Sequence, residues 1–313
     1  MPKDKLKPFV IAVLIFTLTA VAVAGCGTQN SSTDTSSVTT SDEVSSEVSS
    51  ETSSVPVSST PVSSTSSVVS TVDPNHPYYD VIMAIKGIDR TRHGFSFGLQ
   101  VDENNRPINA MREQEKYKKY GLVCLTDDPM TIYLTFNLEY ETRYSPSVLD
   151  TLKEKGVTAT FFISQNYAEN NPAIVRRIID EGHVLASHGA RHKDMALCSP
   201  EEVCEEIMNL HNYVKDKFGY EMNLFRPPSG VYSEALFAQA QLLGYKNVEW
   251  SFAYEDWDTG KVFNEQGYFE YITGKTHEGA IYSFHTTASI TPILLDDIID
   301  YWVDNGYTVK SYQ

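Results

Sequence analysis

The stretch IYLTFNLEYE, residues 132–141, opens as an apolar run of β type, with Ile132, Leu134 and Phe136 in alternate positions, and closes on polar residues. In a parallel sheet such a strand carries its polar end to the edge where these sheets collect function. The first polar residue there is Asn137, an amide, and an apolar Leu138 separates it from the carboxylate of Glu139. An active site and a fold that has lost its chemistry both fit that ending. The rest of the chain has to discriminate between them.

Further apolar runs follow at VTATFFIS (157–164), HVLASH (183–188), KNVEWSF (246–252), GAIYSFH (279–285) and YTVKSY (307–312). Between them lie SPSVLDTLKEKG, PAIVRRIIDEG, SPEEVCEEIMNLHNYVKDKFG, SEALFAQAQLLG and LLDDIIDYWVDNG. Most begin with Ser or Pro, they space their apolar residues at i, i+3 and i+4, and all end on Gly, as helices do. Strands alternating with helices predict βαβ units and an α/β fold built on a parallel sheet, open or closed into a barrel. The polar residues at strand ends are then Asn137, Glu139, Glu141, Gln165, Ser187, His188, Glu255, Asp256 and His285.

Forty-one acidic against 25 basic residues give a net charge of −16. This excludes a nucleic-acid partner, which needs clustered Lys and Arg. Of the four cysteines, Cys26, Cys124, Cys198 and Cys204, none forms a CxxC pair. Cys198 and Cys204 either pair in an oxidising compartment or remain two buried thiols.

Residues 1–26 read as a secretion signal: Lys3, Lys5 and Lys7 precede the apolar FVIAVLIFTLTAVAVAG, which ends at Cys26. Small residues before that cysteine resemble a bacterial lipobox. Cleavage there implies a lipid-modified Cys26, an extracytoplasmic protein and a membrane anchored by acyl chains. Residues 27–77 are a Ser/Thr-rich linker with almost nothing large and apolar to bury, so its composition predicts disorder. Its low-complexity part, 27–72, is about 46 residues of flexible coil and spans roughly 35–40 Å.

Chemistry-bearing residues recur in the folded part. SHGARH places His188 and His192 four apart after a strand, on one face if a helical turn follows. Two such imidazoles suit Zn²⁺ and similar metals, which then need an acidic third ligand and an open position. LFRPPSG holds Arg226 before two stiffening prolines, SFAYEDWD brings Asp256 and Trp257, and IYSFH ends on His285. A carboxylate beside a histidine sets its tautomer for acid–base work.

Together these segments resemble the polysaccharide deacetylase (NodB homology) family, and within it the peptidoglycan and delta-lactam-forming N-deacetylases. The family's ordered motifs, TFDDG or TFDNG, HxxxH, RPPxG, DW and a strand ending in His, stand here as TFNLE, HGARH, RPPSG, EDW and YSFH. The resemblance runs from about Gly94 to the C-terminus. It implies a distorted (β/α) barrel over 129–313, with 78–128 as an N-terminal extension packed on it. It also implies hydrolysis of N-acetyl groups on peptidoglycan amino sugars. By the family's roles His188 and His192 bind a divalent metal, zinc by expectation, and a first-motif carboxylate acts as base. Ser229 contributes a backbone N–H to an oxyanion site, His285 protonates the leaving amine and Asp256 tunes it. Arg226 pairs with the first-motif carboxylate, and Trp257 lines the cleft.

The first motif departs from that pattern. Asn137 stands at the base position, where an amide cannot take a proton. Leu138 stands where most of the family has a ligand Asp, and Glu139 replaces a glycine. Because side chains alternate along a strand, Asn137 and Glu139 can share a face while Leu138 turns away. Three readings stay open: Glu139 substitutes as base or third ligand; the protein binds wall glycan without catalysis; or the domain is a scaffold.

Overall fold

The computed structural model describes residues 72–313; the signal segment, Cys26 and the linker up to residue 71 lie outside the described residues. The strand read first is preceded by α1 (Tyr79–Ala84), β1 (His93–Gly94), α2 (Ile108–Tyr117) and a short 3-10 turn, Lys118–Tyr120. That strand, β2, spans Thr131–Leu138 and is buried at every position, as a strand covered on both faces must be. Next come α3 (Ser145–Lys155), β3 (Thr160–Ile163), α4 (Gln165–Asn170), α5 (Pro172–Asp180), β4 (Val184–Ser187) and α6 (Pro200–Phe218). The chain continues with β5 (Leu224–Phe225), β6 (Val231–Tyr232), α7 (Glu234–Leu242), β7 (Lys246–Asn247) and β8 (Phe252–Ala253). It finishes with α8 (Glu265–Thr273), β9 (Ala280–His285), α9 (Ile290–Asp304) and β10 (Thr308–Lys310).

The helix signals act as read. Ser199 accepts from the Glu202 amide while the Glu202 side chain accepts from the Ser199 amide, a full capping box at the start of α6. Gly219 closes the same helix in a left-handed conformation.

The sheet runs β7-β5-β4-β3-β2-β9-β8 with parallel pairing throughout, and β10 lies beside the first residues of β2. Its two edges, β7 and β8, belong to one segment, 246–253. This segment begins beside β5 and ends beside β9, so it curls the sheet back on itself. The sequence predicts one strand over 246–252; the structure breaks it in two because the segment changes partners half-way.

Side-chain parity along β2 decides what faces where. Tyr133 packs with Phe162, Ala186 and Ile281 inside the curl. Leu134, Phe136 and Leu138 instead join Leu149, Leu152, Val175 and Ile298 of the surrounding helices. The alternation therefore turns Asn137 and Glu139 inward and Leu138 outward.

The N-terminal residues touch this frame along their length, through the antiparallel pairing of β1 with β6 among other contacts. Tyr117 meets the rings of Tyr232 and Phe237 at 5.4 Å. The Val123 amide donates to the Asn247 carbonyl at 2.9 Å, and the Glu249 amide donates back to Val123 at 2.8 Å. Cys198 and Cys204 are both buried free thiols, so the pairing held open in the sequence is not made.

Candidate metal and catalytic site

A cleft of about 530 Å³ opens where β2, β4 and β9 end. Asn137, Glu139, His188, Ser229, Trp257 and His285 line it, as do Tyr140, Trp250 and Tyr254, which carried no motif signal. Arg226 and Asp256 sit behind this lining, fully buried. Glu141 is not part of the site: its carboxylate accepts from the Arg143 amide at 2.6 Å and from the Tyr167 hydroxyl at 2.8 Å, bracing the loop before α3. Gln165 pairs with Glu169, and Glu255 with Lys261, so both also drop out of the strand-end set.

One wall carries the histidine pair. No helical turn follows β4. The chain passes instead through two left-handed residues, Gly189 at φ +78° and His192 at φ +53°, and this loop brings the imidazoles to 5.0 Å between ring centroids. Glu139 Oε1 lies 2.6 Å from His192 Nε2 and 3.7 Å from His188 Nε2. One ligand atom from each of the three residues falls within 4.8 Å of the other two.

The donor set fits a divalent cation on two observations. His188 donates from Nδ1 to the Arg226 carbonyl at 2.8 Å, which leaves the lone pair on Nε2. Both Nε2 atoms are buried without a well-formed hydrogen bond, although Glu139 stands beside them. Burial holds His188 down to about 4, so it is the neutral form that a metal needs. Burial alone would raise the Glu139 carboxyl, but the two imidazoles outweigh it and hold the group well below the usual carboxylate range.

The opposite wall is a closed network. Asp256 Oδ1 accepts from His285 Nδ1 at 2.8 Å; Oδ2 accepts from the His285 amide at 2.7 Å and from Thr291 Oγ1 at 2.6 Å. The imidazole is thereby turned with Nε2 toward the cleft. Asn137 stands between the walls. Arg226 can only donate, so its Nη1 at 2.9 Å must meet the Asn137 oxygen. The amide nitrogen then faces His285 Nε2 at 3.3 Å and Ser283 Oγ at 3.4 Å. A carboxylate at 137 would accept from a protonated His285; the amide donates to a neutral one.

Ser229 (φ +56°) and Gly230 (φ +61°) line the floor in left-handed backbone. Only glycine fits at 230, because a Cβ there would lie 2.8 Å from the Trp250 ring. Trp257, 57% exposed, stands at the rim.

Residues 125–248 match the family model for polysaccharide deacetylase. Over 224 residues the chain is 34% identical to the peptidoglycan-N-acetylmuramic acid deacetylase PdaA of Bacillus subtilis, covering 69% of this chain and 83% of that relative. The chain belongs to the polysaccharide deacetylase family. Among solved structures, that of Bacillus subtilis PdaA, a family 4 carbohydrate esterase, superposes with a TM-score of 0.68 at 31% identity over 72% of this chain and 96% of that one. A CE4 family pseudoenzyme of Bacillus anthracis shares the fold at a TM-score of 0.57 and 24% identity, over 61% and 66% of the two chains. The distorted (β/α) barrel expected from the deacetylase motifs is therefore the fold observed, as a curled parallel sheet.

Proposed function

We infer that this polysaccharide deacetylase hydrolyses N-acetyl groups on peptidoglycan amino sugars, slowly, with Glu139 completing a metal site and His285 handling the protons. The observation that carries this reading is the convergence of Glu139, His188 and His192, the first two of which line the same cleft as His285. Glu139 reaches the histidines from the strand face that Leu138 leaves, and so serves as third ligand rather than as base. A divalent cation there, zinc by the chemistry of two imidazoles and one carboxylate, would acidify water and polarise the acetamide carbonyl.

With an amide at 137, the proton of the attacking water passes to His285 Nε2, and Asp256 stabilises the imidazolium. The C–N bond then breaks as His285 returns that proton to the leaving nitrogen, giving acetate and a free amine. Ser229 at the floor supports the oxyanion, Arg226 orients Asn137, and Trp257 offers a sugar-stacking rim. Residues 1–26 and 27–77 supply the address: a lipoprotein held in the outer leaflet by acyl chains on Cys26. The linker lets the domain, with 78–128 packed on it, reach the wall glycan.

The test is metal content of the purified chain together with acetate release from peptidoglycan fragments. One equivalent of divalent metal and slow release are expected, and Asn137→Asp raises kcat by about 10²–10⁴. A wild type free of metal after zinc loading, or one that Asn137→Asp does not accelerate, overturns the reading.

A second reading rests on the Asn137 amide facing His285 Nε2, because that contact occupies the lone pair the reaction needs. It makes the protein a non-catalytic wall-glycan binder. Fragment binding by calorimetry with no acetate released selects it.

A further inference from the structure

Three residues separate His188 from His192, and one peptide unit among them is gripped at both ends. The Ala190 carbonyl accepts from the Gln165 amide at 3.1 Å and from the Asn166 amide at 3.4 Å. The N–H of the same unit, on Arg191, donates to Glu206 Oε2 at 2.7 Å. The other carboxylate oxygen, Oε1, accepts from Arg191 Nε at 2.7 Å and lies 3.9 Å from Lys193 Nζ. Glu206 belongs to α6 and is fully buried. A carboxylate so buried is retained where charge-assisted donors meet it, and these donors all come from the histidine loop. No step assigned to the cleft uses Glu206.

The loop needs such a hold. It runs through left-handed backbone at Gly189 and again at His192, which carries a Cβ and is disfavoured there unless its surroundings impose the conformation. Glu206 also closes the space beneath Gly189, where a Cβ would come within 3.7 Å of Oε2 and 3.3 Å of the Met195 sulfur. Fixing the plane of the 190–191 peptide fixes the direction in which the chain enters His192, and with it the place of that imidazole opposite His188.

We propose that Glu206 is a positioning residue of the candidate cation site, holding the Ala190–Arg191 peptide unit so that the two imidazoles converge on Glu139. The proposal rests on the reading that Glu139, His188 and His192 hold a divalent cation. Both groups that Glu206 meets are donors and neither can turn acceptor. Glu206→Gln offers them a single oxygen, so one contact is lost and an NH₂ group faces a donor.

The experiment measures zinc affinity of the full chain by chelator competition, and the visible spectrum of the cobalt-loaded protein, whose bands follow ligand geometry. Glu206→Gln weakens zinc binding by about 10–100-fold, the loss typical of a residue that orients ligands, and changes the cobalt spectrum. Val214→Ala, a truncation on the buried face of the same helix, lowers Tm and moves neither readout. Wild-type affinity and an unchanged spectrum in Glu206→Gln overturn this proposal alone. An equal loss of zinc affinity in Val214→Ala also overturns it, because the loss then reports a loosened helix. A wild type that takes up neither metal overturns the reading of the cleft and this proposal with it. Should Glu206→Gln fail to fold, Glu206→Asp takes its place: the shorter carboxylate draws the peptide unit toward α6, so weaker zinc binding is again expected and unchanged affinity overturns the proposal.

Discussion

The two walls of the cleft differ in how complete they are without a ligand. On the His285 side every polar atom of Asp256 has a partner, and the network closes through Thr291. On the His188 side two imidazole nitrogens without a well-formed hydrogen bond converge on the carboxylate of Glu139. The first wall is a finished part of the fold, whereas the second holds the donor set of a candidate cation site. Asn137 stands at the seam and serves the first wall with its nitrogen and Arg226 with its oxygen.

Removing a ligand breaks the second wall with the larger effect. Glu139→Gln keeps the side chain in place but takes away the anionic donor. Zinc affinity then falls by more than the roughly 10–100-fold that loss of a supporting residue costs, as read by chelator competition. Unchanged affinity would remove Glu139 from the ligand set. The first wall breaks differently. Asp256→Asn leaves one acceptor for three donors, lowers stability by about 1–3 kcal/mol in urea unfolding and slows acetate release, while zinc binding is retained. Loss of zinc binding in that variant would mean that the walls are not separable.

The smallest expected effect sharpens the contrast by lying outside both walls. His183 accepts from the Ala159 amide at 3.2 Å, and burial holds it down to about 4, against about 6.5 in the unfolded chain. Its folded value is the lower one, so its contribution is complete above pH 6.5 and is lost as pH falls toward 4. With chelator present, the urea midpoint drops between pH 7 and 5, and His183→Gln flattens that drop. An identical slope in the variant would assign the pH dependence to the cleft.

Much of this was legible beforehand. The parity of β2 put Asn137 and Glu139 on one face, because alternation is a local property of an extended chain. The motif order located Arg226, Asp256 and His285. Misread features have tertiary causes. The HGARH pair converges through a left-handed loop, which no helical spacing encodes. KNVEWSF divides because its two halves pair with different strands. Tyr140 and Trp250 entered the cleft without any pattern to mark them.

What the sequence by itself determined is the family, the strand faces and the amide at 137, all of which are set by residue identity and neighbouring geometry. Only the tertiary structure decided that Glu139 goes to the histidines, and that the Arg226 guanidinium is held by the backbone carbonyls of Val248 and Glu249. Those outcomes depend on distances between segments about 50 and 20 residues apart in the chain, and packing alone sets such distances.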